Sequence, residues 1–423
     1  MRNIQANSIA QKTMVHDDAP APADLDSSVT RGNEAKRKKK LLFVSNAFSY
    51  GGSEKHLLEL LTRLPEANVE SVVLCIDSDP FTERLTESAR AHVRVRQEKS
   101  LKSLRDWRRI FKEIHPEAIV FVYGTLWMIP GVAVVAARLS GVKRLCAIHH
   151  LMPAPPPEAR VARIKTLRDV WRRVLGRRVR RILAAQVLPH LCDRIICVSD
   201  AVRNSLIAQY RFPAGKTLTI HNGISAREFA GGAEDRTAVR RRLGIPPEDF
   251  TLVCTARLSP EKGIDILLSA IDRVIRRGSV CRCIVVGDGH LRGQLLEQAN
   301  ALGLQGHVFF EGFQSQVQPY LSAADAFVLT SHIEGLPFSV LEAMACGLPC
   351  IVTDVGGNSE AVTGNRNGIV IRPGSVSEVE DAILYLFAHP EERARMGQQS
   401  RERVWNEFDM DCKMAETARA LLG

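Results

Sequence analysis

Glu334 and Glu342 lie eight residues apart in the segment Glu334-Gly-Leu-Pro-Phe-Ser-Val-Leu-Glu342. Carboxylates accept hydrogen bonds from paired hydroxyls, so two at this spacing suit a polyhydroxylated ligand gripped at two points. The apolar run Ala326-Phe-Val-Leu-Thr330 precedes them and reads as a buried parallel strand. Glu334 then falls in the loop beyond that strand's carboxyl end, and Glu342 about two turns into the following helix. Ligands of open α/β sheets bind in that crevice. A solvated loop carboxylate followed by one on a helix face would give the same spacing, so the neighbouring motifs have to decide.

Those neighbours carry charge and glycine. The strand Phe250–Ala256 runs into Arg257-Leu-Ser-Pro-Glu-Lys262-Gly263, ahead of a helical pattern from Ile264 to Ile271. Arg257 offers a planar fork and Lys262 a point charge beside a helix amino terminus, the combination that holds a diphosphate. The strand Arg282–Val286 ends at Gly287-Asp-Gly289, and Val308–Phe310 at Glu311-Gly312-Phe313. Glycines there let a nucleotide approach the backbone. Cys350–Thr353 leads to Asp354-Val-Gly-Gly-Asn-Ser-Glu360. In the amino-terminal half, Lys40–Ser45 reads as a strand, Tyr50-Gly51-Gly52-Ser53-Glu54 as a glycine turn and Leu57 to Leu64 as the next helix. Leu145–Ile148 ends in His149-His150-Leu-Met-Pro153.

In this order, from about Lys40 to about Arg403, the elements resemble those of the family 4 retaining glycosyltransferases of the GT-B fold. The resemblance implies an α/β chain of two Rossmann-like domains facing a central cleft. It also implies transfer of a sugar from a nucleoside diphosphate donor to an acceptor, a hexosyltransferase reaction with no obligatory metal and no cofactor. By the same resemblance Arg257 and Lys262 stabilise the departing diphosphate. Glu334 contacts donor-sugar hydroxyls, with Gly335 and the amides of Leu336, Phe338 and Ser339 beside it, and Glu342 binds the ribose. Gly51 and Gly52 form the loop that reaches the donor phosphate or the acceptor, while Gly287 and Phe313 belong to the donor side. His149 takes the place of the family's active-site histidine. His150 stands where many relatives carry Asp or Gly, which leaves open which imidazole faces the donor. No matching carboxylate nucleophile is offered for retention by two displacements. A same-face reaction is the more economical route, with the leaving phosphate oxygen as base and catalysis resting on preorganised charge and positioning.

With 423 residues and 45% hydrophobic content the chain is long enough for two domains. The expected division is a disordered leader over 1–39, an acceptor domain over 40–220, a donor domain over 221–395 and terminal helices over 396–423 that cross back to the first domain. The leader mixes Ala, Pro, Asp and Ser with the cluster Lys36-Arg-Lys-Lys-Lys40 and lacks the apolar stretch of a secretory signal. Ten scattered cysteines read as reduced core thiols, which with the missing signal indicates the cytoplasm. Asp77-Ser-Asp79 reads as a loop rather than a metal site.

The formal charge is +10, and it is concentrated. Arg160 to Arg181 holds ten Lys or Arg against the single Asp169, with Val161, Ile164, Leu167, Val170, Trp171, Val174, Leu175 and Val179 at helical spacing. Such a basic amphipathic helix fits an anionic membrane surface, and it equally fits an internal helix with a solvated basic face. The first placement makes the protein peripheral at the inner face of a membrane and points to a lipid-linked acceptor in envelope or exopolysaccharide biosynthesis. No aromatic-interleaved basic strand or other nucleic-acid motif accompanies the charge, so nucleic acid is not an expected partner. The alternatives are a nucleotide-sugar epimerase of the same fold, which needs no acceptor, and a non-catalytic sugar-nucleotide-binding protein.

Overall fold

The computed structural model describes residues 39–45, 51–64, 69–76, 93–98, 101, 103–123, 131–152, 188–229 and 232–423. The expected leader, apart from its last residue, together with Tyr50, Asp77-Ser-Asp79 and the basic segment 160–181, lies outside them. Among the described residues, thirteen strands form two sheets. The first contains β1 (Lys39–Ser45), β2 (Val69–Ile76), β3 (Val93–Glu98), β4 (Ala118–Tyr123), β5 (Arg144–His149), β6 (Arg194–Cys197) and β7 (Thr217–Thr219). The second contains β8 (Phe250–Thr255), β9 (Cys281–Val286), β10 (Val308–Gly312), β11 (Ala326–Leu329), β12 (Cys350–Thr353) and β13 (Gly368–Ile371).

All pairings are parallel, in the orders β3-β2-β1-β4-β5-β6-β7 and β10-β9-β8-β11-β12-β13. Each sheet is thus doubly wound about one point where the order reverses, between β1 and β4 in the first and between β8 and β11 in the second. Ligands of such sheets sit beyond the strands' carboxyl ends at that point. The segments after β1, β8 and β11 carry Gly51, Arg257 and Glu334, so the motif residues stand where the topology makes a crevice.

The strands are apolar on both faces because helices cover both, and their alternation is visible in the packing. Leu41 and Phe43 join one buried cluster while Leu42 and Val44 join another on the opposite face. Cys281, Cys283 and Val285 face a third cluster, with Ile284 and Val286 on the reverse. The first of these clusters continues from Leu41 and Phe43 through Ile224 to Leu336 and Phe338, so one apolar body joins the two sheets. Eight of the ten cysteines are buried, and burial pushes the Cys254 thiol up to about 12.

Among the described residues, the linker and the terminal helices help to lock the halves together. The linker passes through His221-Asn222-Gly223, where a Cβ on Gly223 would lie 2.7 Å from Met410 Cα. Ile224 N–H donates to the Phe408 carbonyl at 2.8 Å. Helix Pro390–Glu407 packs on the second domain's helix Phe338–Ala345, whereas helix Met410–Leu422 packs on Gly52–Arg63 of the first. There Arg63 Nε donates to Asp411 Oδ1 at 2.7 Å, and Arg144 Nη2 donates to the Ala420 carbonyl at 3.0 Å.

Candidate active site at the seam between the two sheets

Beyond β8 the chain turns through Arg257 and a short 3-10 helix, Pro260–Lys262, then reverses at Gly263, whose φ of +60° lies in the left-handed region. A side chain at Gly263 would strike the Thr330 carbonyl, so glycine is required for the turn to pack on the end of β11. That contact brings Lys262 to Glu334. Its Nζ lies 2.6 Å from Glu334 Oε1, which also accepts from Ser331 Oγ at 2.7 Å. Glu334 is 2% exposed, so this is a buried, charge-assisted pair in a loop rather than a solvated carboxylate. Arg257 is exposed on the same turn.

The glycine turn after β1 meets this cluster from the other domain. A Cβ on Gly51 would lie 3.7 Å from Arg257 Nη2, and one on Gly52 would lie 3.5 Å from the Phe338 ring. Helix Gly52–Arg63 begins there, and its Lys55 spans the seam to place Nζ 2.5 Å from Glu342 Oε1. Glu342 is buried on helix Phe338–Ala345, which also carries Phe338 and the half-buried Ser339. The structure therefore draws Gly51, Gly52, Arg257, Lys262, Glu334, Phe338 and Glu342 to one seam.

Two of the glycines stand against the protein's own backbone. Gly287 (φ +138°) leaves room for the Ala256 carbonyl, and Gly335 leaves room for the His150 carbonyl. In both places the backbone that comes close is the protein's own, because the β9 end supports the Arg257 turn and the Glu334 loop docks on the first domain. Leu151 bridges Gly335, and Met152 N–H donates to the Glu334 carbonyl at 3.3 Å. Gly357 N–H donates to the Gly335 carbonyl from the opposite side. Leu336 has a buried side chain, and its carbonyl accepts from Asn222 Nδ2 at 2.7 Å. Phe313 stands 53% exposed just past the end of β10.

The histidines require a correction. Along β5, Leu145 and Ala147 face the apolar cluster away from the second domain, and alternation sends His149 the same way. Its ring lies edge-on to Phe212, 5.8 Å between centroids, among Phe121, Ala147, Cys192 and Ile195. His150, one residue on, takes the side facing the seam and stacks edge-on against His56 at 4.8 Å. Strand parity therefore assigns the seam to His150 and not to His149. His56 Nδ1 shares a hydrogen bond with Asn222 Oδ1 at 3.0 Å. Burial lowers His56 and His149 to about 4 and His150 well below its ordinary value, aided there by the neighbouring His56 and His149. These rings are neutral at pH 7 and cannot serve as cations toward a phosphate.

Several seam residues were not singled out from sequence. Lys55, His56 and Asn222 have no motif spacing to mark them, since their partners lie 287, 166 and 114 residues away. Glu360 was expected only as a motif member. Its carboxylate accepts from Asp200 N–H at 2.8 Å and Ala201 N–H at 2.7 Å, which caps helix Asp200–Tyr210 of the first domain. His221 Nε2 lies 2.8 Å from it as well.

Comparison with known proteins agrees with this arrangement. A model described as Glycosyltransferase Family 4 matches residues 50–228, and one described as Glycosyl transferases group 1 matches residues 235–403. The chain is 23% identical over 339 residues to an Escherichia coli UDP-Gal:alpha-D-GlcNAc-diphosphoundecaprenol alpha-1,3-galactosyltransferase, covering 79% of this chain and 84% of that one. It is 30% identical over 242 residues to a Mycobacterium tuberculosis GDP-mannose-dependent alpha-(1-6)-phosphatidylinositol monomannoside mannosyltransferase, covering 55% of this chain and 62% of the relative. Among solved structures, Anabaena HepE in complex with UDP superposes with a TM-score of 0.77 at 22% identity, over 90% of this chain and 99% of that one. With one family model on each side of the seam and the GT-B arrangement between them, the chain belongs to the family 4, group 1 glycosyltransferases.

Proposed function

We propose that the protein transfers a sugar, with retention, from a nucleoside diphosphate donor to a lipid-linked acceptor in envelope or exopolysaccharide assembly. The observation that carries the donor half is the Lys262–Glu334 pair set beside Arg257 and Gly51 at the two switch points. In this reading Arg257 and Lys262 take up the charge that grows on the diphosphate as the anomeric C–O bond loosens. Glu334, held by Lys262 and Ser331, orients the sugar hydroxyls. The acceptor oxygen enters on the same face and loses its proton to the leaving phosphate oxygen. The two cations do the work that a metal ion does elsewhere. A nucleotide sugar is further supported by HepE, which was crystallised with UDP and with UDP-glucose.

The test is a panel of nucleotide sugars scored by thermal stabilisation. A true donor at 100-fold its dissociation constant adds about 2.7 kcal/mol, which raises the melting temperature measurably. Turnover of that donor is expected to persist in chelator. Stabilisation by no nucleotide sugar, or strict dependence on Mg²⁺ or Mn²⁺, would overturn the reading.

The acceptor half rests on two supports. The names of the Escherichia coli and Mycobacterium relatives both include a lipid, a diphosphoundecaprenol and a phosphatidylinositol. The segment from Arg160 to Arg181 supplies ten cations beside an apolar stripe. No helix among the described residues is long and apolar enough to cross a membrane. Peripheral binding through about five cations at about 1 kcal/mol each would be reversible and steeply salt-sensitive. The protein is expected to cosediment with anionic liposomes at low salt, and Gln at Arg172, Arg173, Arg177 and Arg178 to release it. Failure of the unaltered protein to cosediment removes this segment's support for a lipid-borne acceptor.

A further inference from the structure

We infer that Lys55 is the positioning residue of the ribose subsite, so that nucleotide recognition is assembled from both domains rather than from the second alone. The inference rests on the reading above in one respect, that Glu342 is the carboxylate facing the ribose hydroxyls. Lys55 belongs to the first turn of helix Gly52–Arg63, where its N–H donates to the Gly51 carbonyl at 3.0 Å. Its side chain leaves the first domain and places Nζ 5.2 and 5.6 Å from the ring centroids of Phe338 and Phe229 and 2.5 Å from Glu342 Oε1. Among the described residues no other side chain donates to Glu342.

A carboxylate that grips a diol has to be ionised and fixed in direction. Glu342 is 8% exposed on a helix whose other faces are buried, so its charge needs a partner and its direction is set by what holds it. The Lys55 ammonium does both, because it compensates the charge and holds Oε1 in one direction. The two aromatic rings face the ammonium itself and help to hold it in one place. The same short stretch sets the approach of Gly51 to Arg257. Lys55 thereby ties the ribose carboxylate to the glycine turn that meets the diphosphate cations.

The experiment compares nucleotides that differ by one hydroxyl. Binding of UDP, 2′-deoxy-UDP, GDP and 2′-deoxy-GDP is measured by calorimetry on the full chain, alongside Lys55→Met, Lys55→Gln, Lys55→Arg and Glu342→Gln. For whichever base binds, the unaltered protein is expected to prefer the ribonucleotide by about 10-fold or more, since a site built around a hydroxyl rejects its absence. Lys55→Met keeps an unbranched apolar side chain without the charge and is expected to reduce that preference to about twofold or less while leaving deoxynucleotide affinity nearly unchanged. Lys55→Arg should recover part of the preference, and Lys55→Met should add nothing in the Glu342→Gln background, the non-additivity of groups acting as a unit. Lys55→Gln gives a second reading should the Met variant fold poorly, as checked by its melting curve. An undiminished ribose preference in Lys55→Met or Lys55→Gln overturns the inference while leaving the donor reading intact. Binding of neither UDP nor GDP to the unaltered protein overturns both.

Discussion

Replacing Lys262 with alanine is expected to lower turnover by on the order of 10²-fold or more and, at the same time, to destabilise the protein by about 3–5 kcal/mol. The two effects have separate causes. The kinetic loss follows from removing a preorganised cation from the departing diphosphate. The loss of stability follows from leaving Glu334, 2% exposed, with its Ser331 hydrogen bond but no compensating charge. Glu334→Gln exposes the mirror problem, with the Lys262 ammonium left only partly solvated at 18% exposure. Its position in a loop therefore does not make this substitution thermodynamically silent. The decisive variant carries both changes, Lys262→Met with Glu334→Gln. With no buried charge left unpaired, its stability should return to within about 1–2 kcal/mol of the unaltered protein while turnover stays lost. Denaturant unfolding and steady-state kinetics on the three variants separate the outcomes. A double variant as unstable as the singles would show that the pair is held by more than mutual charge compensation. Near-normal turnover in Lys262→Ala with a proven donor would remove this residue from the chemistry.

What could be read before folding, and what could not, divides along a physical line. Continuous apolar runs such as Phe250–Thr255 and Cys350–Thr353 announce buried parallel strands, and the residues just past them are placed at the crevice by topology alone. This is why Arg257, Lys262 and Glu334 were legible. Ala118–Tyr123 and Val93–Glu98 were not assigned from sequence, although β4 completes the first switch point. Glycine was the more deceptive signal. Gly287 and Gly335 announce a close approach, but spacing cannot say whether the approaching atom belongs to a ligand or to Ala256 and His150. Histidine carried a parity problem of the same kind, since one step along β5 sends a side chain to the opposite face. The Lys55–Glu342 contact, formed between residues 287 apart, has no local signature at all. Only the docking of the two domains creates it.

Acid should weaken the fold well before it reaches the carboxylates, and the cause lies in three buried imidazoles. Burial lowers His56 and His149 from 6.5 to about 4, and His150 is pushed down further by its neighbours. Nε2 of His56 and of His149 and both ring nitrogens of His150 are buried without a hydrogen-bond partner among the described residues, and burial outweighs the Asn222 contact that favours a protonated His56. In the unfolded chain the same rings titrate near 6.5. Below that pH the unfolded state binds protons that the native state refuses, and stability falls with decreasing pH down to about 4. Above it both states are neutral and the effect vanishes. Each ring contributes a slope approaching about 1.4 kcal/mol per pH unit, so the three together withdraw roughly 3–4 kcal/mol between pH 7.5 and 5.5. His149→Leu removes chiefly one share, because the ring lies among apolar side chains on the face away from the seam and burial is the larger cause for His150. Urea unfolding at the two pH values should show that variant losing about one third less stability than the unaltered protein. Stability that stays flat from pH 7.5 to 5.5 would mean that the imidazoles find partners when protonated, and their neutrality at the seam would have to be abandoned with it.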